Sequence, residues 1–113
     1  MYLTPELEIQ PLGFYRQPGI DELIRFKFIA RVNHPSRLFD ASKVDASKLV
    51  SNYDVQALDL KATETWWDVG GQNLTGGSFI IPAHQTKGEC GLNVGYLRNT
   101  DNTLTVYVLW QET

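Results

Sequence analysis

The sequence contains a single cysteine, Cys90, and no long apolar run. One cysteine excludes a disulfide within the chain and is typical of proteins made in a reducing compartment. No apolar stretch approaches the ~20 residues that a bilayer-spanning helix needs. Residues 1–6 lack the basic start and apolar core of a secretory signal peptide. We therefore expect a soluble protein, synthesised in the cytoplasm and not secreted through a signal peptide.

Basic residues are few and scattered. The chain contains ten Lys and Arg residues and 13 Asp and Glu residues, which gives a formal net charge of −3. A nucleic-acid-binding protein needs a basic stripe that displaces counterions from phosphates. The nearest candidate is Arg25, Lys27 and Arg31, which share one face of a predicted strand and are more typical of a solvated face. The sequence predicts no nucleic-acid partner.

The sequence also lacks a recognisable metal or thiol site. His84 lies close to Cys90 in the sequence, with Glu89 beside the cysteine, but zinc needs three or four ligands and the other histidine, His34, is remote. Cys90 falls in the inward phase of a predicted strand, where a small apolar residue is expected. We predict no metal, no cofactor and no catalytic thiol.

Carboxylates and glycines offer no clearer chemistry. Glu64 and Asp68 flank a pair of tryptophans, as the acids of a glycosidase would flank a sugar. A domain of this size rarely provides the deep cleft that such an enzyme needs. The glycine-rich segment 70–77 lacks the lysine of a phosphate-binding loop and is interpreted as a mobile loop. The sequence therefore indicates a protein that is not an enzyme.

Alternation of apolar and polar residues predicts strands. In residues 24–32 every even position is apolar, so one face is expected to be buried and the other wet. Residues 90–96 and 104–110 alternate on either side of an Asx-rich turn and predict a hairpin. The glycines of its first strand leave a gap that is filled either by a ring such as Tyr107 or by a neighbouring backbone. Further strands are predicted over residues 53–60, 63–69 and 78–81.

The remaining segments predict one short helix and an arm. Asp45 is placed to cap a helix that runs to about Ser51. Residues 1–20 combine prolines with large apolar side chains, which favours an extended arm that lies on a surface. The predicted fold is all-β: a small antiparallel β-sandwich or jelly-roll-like domain over residues 21–113, an extended N-terminal arm over 1–20 and at most one short helix.

Two adjacent tryptophans, Trp66 and Trp67, are the most distinctive aromatic feature. Neighbouring strand residues point to opposite faces, and the phase of the segment predicts Trp67 inside and Trp66 outside. An exposed tryptophan serves as an anchor for another subunit or as a stacking platform for a sugar.

These features favour a structural or assembly protein that acts through protein–protein contacts. The most concrete form is a small virion component, such as a capsid-decorating, vertex or tail-adaptor subunit, assembled into a particle as a homo-oligomer. The residues expected to carry the contacts are Leu7, Ile9, Phe14, Tyr15, Trp66 and Tyr107.

A carbohydrate-binding module or receptor-binding head is the alternative. In that case Trp66 would stack on a sugar ring, and Gln72 and Asn73 in the glycine-rich loop would supply hydrogen bonds. A sugar-binding module of this kind can act as a monomer, whereas an assembly subunit must associate.

Overall fold

The computed structural model describes residues 3, 7–19, 22–32, 34–40, 44–53, 65–69, 72–82 and 89–112. Within these ranges the chain forms five β-strands and two single-turn 3-10 helices, which confirms the prediction of an all-β chain. The strands are β1 (Ile9–Gln17), β2 (Leu23–Ala30), β3 (Thr75–Ile81), β4 (Cys90–Arg98) and β5 (Leu104–Glu112).

All five strands belong to one antiparallel sheet in the order β1-β2-β5-β4-β3, so β1 and β3 are its edges. The predicted C-terminal hairpin is confirmed as β4 and β5. Its turn is closed by Asn99 N–H, which donates to Thr103 O at 2.9 Å, and it contains Asn102 at a φ of 65°. Among the described residues there is no second sheet, so the sandwich or jelly-roll arrangement is not confirmed.

The segment predicted to be an arm supplies an edge strand instead. Strand β1 pairs with β2 along its whole length, from Ile9 opposite Ala30 to Gln17 opposite Leu23. Pro11 is tolerated because β1 is an edge, where a missing backbone donor costs no ladder hydrogen bond. The register shifts between Pro11 and Gly13, which makes Leu12 the extra residue of a β-bulge. The extended arm is not confirmed.

The main core lies on the face of the sheet that carries Phe28, called here the first face. Alternate residues of the central strands point to this face, and it is covered by side chains from the connection between β2 and β3. Cys90 is buried there at 3% exposure, as its strand phase predicts. The buried members are Phe28, Ala30, Leu38, Phe39, Val44, Ile81, Cys90, Leu92, Val94, Leu104, Val106, Val108 and Trp110.

The opposite, second face is also covered, which contradicts the prediction that the polar face of β2 is wet. Arg25 is only 5% exposed, and the Lys27 side chain is 14% exposed. A smaller apolar cluster lies on this face and includes Tyr107 and Leu109 of β5. Tyr107 is the cross-strand partner of Gly95 of β4.

Two further predictions need correction. Residues 65–69, predicted as part of a strand, form a turn followed by irregular backbone that lies on the second face. The helix predicted after Asp45 is a single 3-10 turn, Ala46–Lys48, although Asp45 does cap it by accepting from Ser47 N–H at 3.0 Å. The strand predicted over 53–60 lies outside the described residues, except for Tyr53.

Candidate functional site

The segment 65–69 crosses the second face of the sheet from β1 to β5 and is called here the crossing segment. Trp66 lies directly on Gly13 of β1: a Cβ added to Gly13 would lie 2.1 Å from Trp66 Cδ2. The next ring, Trp67, is buried and meets Tyr107 of β5 edge-on, with ring centroids 5.7 Å apart. Only glycine permits the indole to approach the backbone this closely, so Gly13 creates the seat for Trp66.

Asp68 fixes the crossing segment to the sheet through polar contacts. The Tyr107 hydroxyl donates to Asp68 Oδ1 at 2.7 Å, and Lys27 Nζ donates to the same oxygen at 3.0 Å. Lys27 Nζ also lies 5.2 Å from the centre of the Tyr107 ring. Lys27 is therefore neutralised by a carboxylate and shielded by an aromatic ring, which explains why a lysine tolerates this covered face.

Protonation equilibria reflect these contacts. Burial alone would raise the pKa of the Asp68 carboxyl, but hydrogen bonds from Tyr107 and Lys27 outweigh it and hold that pKa below its usual value. Burial, and then the hydrogen bond to Asp68, raise the pKa of the Tyr107 phenol well above its usual value. The Tyr107 phenol therefore stays protonated, as the donor to Asp68, to a higher pH than a free tyrosine.

The Tyr107 contact predicts a loss of stability in alkali. Because the folded pKa is raised, the unfolded chain ionises first, near pH 10, and stability falls as the pH rises towards the folded value. One proton contributes a slope of at most about 1.4 kcal/mol per pH unit. Urea unfolding between pH 8 and 11 should show this decline in the wild type and a shallower one in Tyr107→Phe.

Other polar groups on the second face are also engaged. The Arg25 guanidinium lies 4.6 Å from the centre of the Tyr15 ring. The buried Asn93 side chain accepts a hydrogen bond from the Tyr53 hydroxyl. Together with the contacts of Asp68 and Lys27, these contacts pair polar side chains of the second face with other residues of the chain.

Exposed large apolar side chains concentrate at the two edges of the sheet. At the β1 edge, Leu12 is 40% exposed and Phe14 is 58% exposed. At the other edge, Ile80 of β3 is 70% exposed, and Val50, which forms a bridge with Gly76 of β3, is 55% exposed. These are all the exposed large apolar residues in the described ranges.

The β1 edge presents aromatic rings on both faces. Phe14 lies on the first face and meets Phe26 edge-on, with ring centroids 5.7 Å apart. The centroids of the Phe26 and Phe28 rings are 4.9 Å apart. Trp66 lies on the second face at the adjacent residue, Gly13. We call Leu12, Phe14 and Trp66 the aromatic edge site. A strand added beside β1 would meet one ring on each of its faces, because successive side chains of a strand alternate.

The β3 edge is partly occupied by the chain itself. Val50 N–H donates to Gly76 O at 2.8 Å, and Gly76 N–H donates to Val50 O at 2.9 Å. Tyr53 N–H donates to Leu74 O at 2.9 Å, just before β3 begins. The segment around Val50 therefore covers the first part of this edge, whereas Ile80 lies beyond it.

The predicted contact residues separate into two groups. Phe14, Tyr15 and Trp66 come together at the β1 edge. Leu7 and Ile9 pack against the main core and are half-buried. Tyr107 is only 1% exposed because Trp67 lies against it, so its ring is not available to a partner and we omit it from the contact surface.

Of the residues predicted to bind a sugar, Trp66 and Gln72 are half-buried and Asn73 is exposed. Gln72 N–H donates to Val69 O at 3.3 Å, which places it close to the end of the crossing segment. Sequence reasoning missed Leu12 and Gly13. A glycine following a proline within an apolar, strand-like run is the signal that points to an edge bulge.

Other candidate chemistry is limited in the part of the chain that is described. No group of three His, Cys, Asp or Glu residues there is arranged to hold a metal ion. None of the helices in these ranges has the length and apolar character to cross a membrane. His84 and Glu64, which the sequence places near Cys90 and Asp68, lie outside the described residues. The chain matches no protein-family model, no curated protein and no solved structure.

Proposed function

We propose that this chain is a non-catalytic structural protein that acts through protein–protein contacts. In its most concrete form it is a small virion component, such as a capsid-decorating, vertex or tail-adaptor subunit, assembled as a homo-oligomer. Such a subunit needs a rigid domain with defined contact edges rather than a reactive centre. The fixed polar pairs of Asp68 with Tyr107 and Lys27 support this role, because they use these side chains for structure.

The observation that carries the proposal is the position of the exposed apolar side chains at the sheet edges. Single exposed apolar residues are ordinary on a protein surface. An edge strand, however, also presents backbone donors and acceptors that can pair with another strand. Apolar side chains in the same place add burial to that pairing, which is the combination used in strand addition.

The proposal predicts association in solution. Light scattering over a range of concentrations should give a mass above that of one chain, and the apparent mass should rise towards a fixed multiple. A chain that stays monomeric at high concentration contradicts the assembly role.

Sugar binding is the alternative, favoured by the accessible part of Trp66 and the exposed Asn73. It predicts a monomer that binds glycans on an array and loses that binding in Trp66→Ala. Ser51→Ala is a suitable control, since Ser51 is exposed and is not one of the residues proposed to bind sugar.

A further inference from the structure

The outward-facing backbone groups of β1 define which half of this edge can pair. Arg31 N–H donates to Glu8 O, and Glu112 N–H donates to Glu22 O. Backbone bonding directions alternate along an antiparallel strand, so odd residues of β2 bond to β1 and even ones to β5. In β1, Tyr15 and Gln17 lie opposite the odd residues Arg25 and Leu23 and therefore bond to β2. The backbone groups of Phe14 and Arg16 consequently point away from the sheet.

Pro11 restricts pairing to the second half of the edge. By the same alternation Pro11 also faces outward, where it has no N–H to donate. The bulge at Leu12 further interrupts the ladder on that side. A strand that adds to β1 must therefore be centred beyond the bulge, near Phe14.

Charge does not protect this part of the edge. Natural edge strands commonly carry lysines or other charged residues that prevent pairing between molecules. In β1 the only charged residue is Arg16, and its guanidinium is paired with Glu22 of the same chain. Two β1 edges can approach each other without bringing unpaired like charges together.

We propose that two copies of the chain pair antiparallel through β1, with Phe14 opposite Phe14 of the second copy. This inference rests on the proposed function and names its partner as the chain itself. A two-fold axis perpendicular to the sheet keeps the first faces of both copies on the same side. Each copy has a row of three rings on its first face, formed by Phe28, Phe26 and Phe14. In the dimer the two rows join at Phe14, and the exposed Phe14 side chains become buried against each other.

In the same register, the second copy also covers Trp66. Pairing about Phe14 places Tyr15 of the second copy opposite Gly13, on the second face. Trp66 is seated on Gly13, so the incoming Tyr15 would lie beside its indole. One register thus buries an aromatic contact on each face. The β3 edge lacks this symmetry because the Val50 segment already occupies part of it.

Introducing a charge at position 14 tests the pairing directly. Phe14→Lys places two ammonium groups opposite each other and should weaken dimer formation by about 100-fold or more. Phe14→Glu should do the same, whereas an equal mixture of the two variants should restore the dimer mass in light scattering. Phe14 is exposed in the single chain, so both variants are expected to fold, which circular dichroism would verify.

Ile80→Lys, at the opposite edge, is the matched control and should leave the dimer intact. A dimer that persists in both Phe14 variants, or a mixture that fails to restore it, overturns the proposal. If Ile80→Lys alone abolishes association, the chain assembles through its other edge: the β1 pairing is wrong and the proposed function stands. A wild-type monomer at all concentrations contradicts the proposed function itself.

Crosslinking supplies a second, independent measurement. Directly opposed residues of a hydrogen-bonded antiparallel pair have Cα atoms about 5.5 Å apart, within the range that a disulfide spans. Phe14→Cys should therefore form a covalent dimer on mild oxidation, while Ile80→Cys should not. The native Cys90 is buried, so it does not contribute an accessible thiol. No dimer from Phe14→Cys at concentrations where the wild type associates would contradict the register.

Discussion

Replacing Trp67 with alanine is expected to lower the free energy of unfolding by about 3–5 kcal/mol, the range found for buried aromatic side chains. Trp67 is 6% exposed and lies between Trp66 and Tyr107, so its removal leaves a cavity and takes support from both neighbouring rings. Such a loss is a large part of the stability of a small domain. Urea unfolding followed by far-ultraviolet circular dichroism measures it without relying on tryptophan fluorescence.

Trp67→Phe is the matched variant because it keeps a ring and removes the indole N–H. Trp67 Nε1 is buried and has no hydrogen-bond partner among the described residues, and a buried unpaired donor typically costs about 1–3 kcal/mol. Removing it should offset much of the lost packing, and we expect Trp67→Phe to cost less than about 1.5 kcal/mol. Equal losses in the two variants would contradict this expectation, because they would show that a phenyl ring recovers none of the packing of Trp67.

Strand prediction succeeded where a segment's own pattern decides its structure. The alternation of residues 24–32 located β2, and the Asx-rich turn located the β4–β5 hairpin. In both cases the period of two and the turn chemistry are local properties of the sequence. The prediction that the polar face of β2 is wet was wrong. A local pattern does not reveal that the crossing segment returns to cover Lys27 and supplies Asp68 as its counter-ion.

The N-terminal arm was not confirmed for a different reason. Pro11 and Gly13 normally interrupt regular structure, so residues 1–20 were predicted to form an extended arm rather than a strand of the sheet. At a sheet edge a proline costs little, and Gly13 is needed because Trp66 occupies the space of its side chain. Phe14, Tyr15 and Trp66 were identified from their residue type, but their convergence depends on a contact between segments that are distant in the sequence.

A double-mutant cycle between Gly13 and Trp66 tests whether the crossing segment is seated on the β1 edge. Gly13→Ala places a Cβ within 2.1 Å of Trp66 Cδ2, so the indole must move or β1 must shift. We expect a loss of about 1–3 kcal/mol, the usual cost of overpacking. In a Trp66→Ala background the clash is absent, and the same substitution should cost much less.

Gly91→Ala provides the control, because a Cβ there would meet its nearest atom, Gln111 O, at 3.9 Å, an ordinary contact distance. It should change the free energy of unfolding by less than about 0.5 kcal/mol, as for substitutions away from packed features. Additive effects of Gly13→Ala and Trp66→Ala would mean that the two residues do not touch. Strong coupling would establish that Trp66 is held at the β1 edge by Gly13.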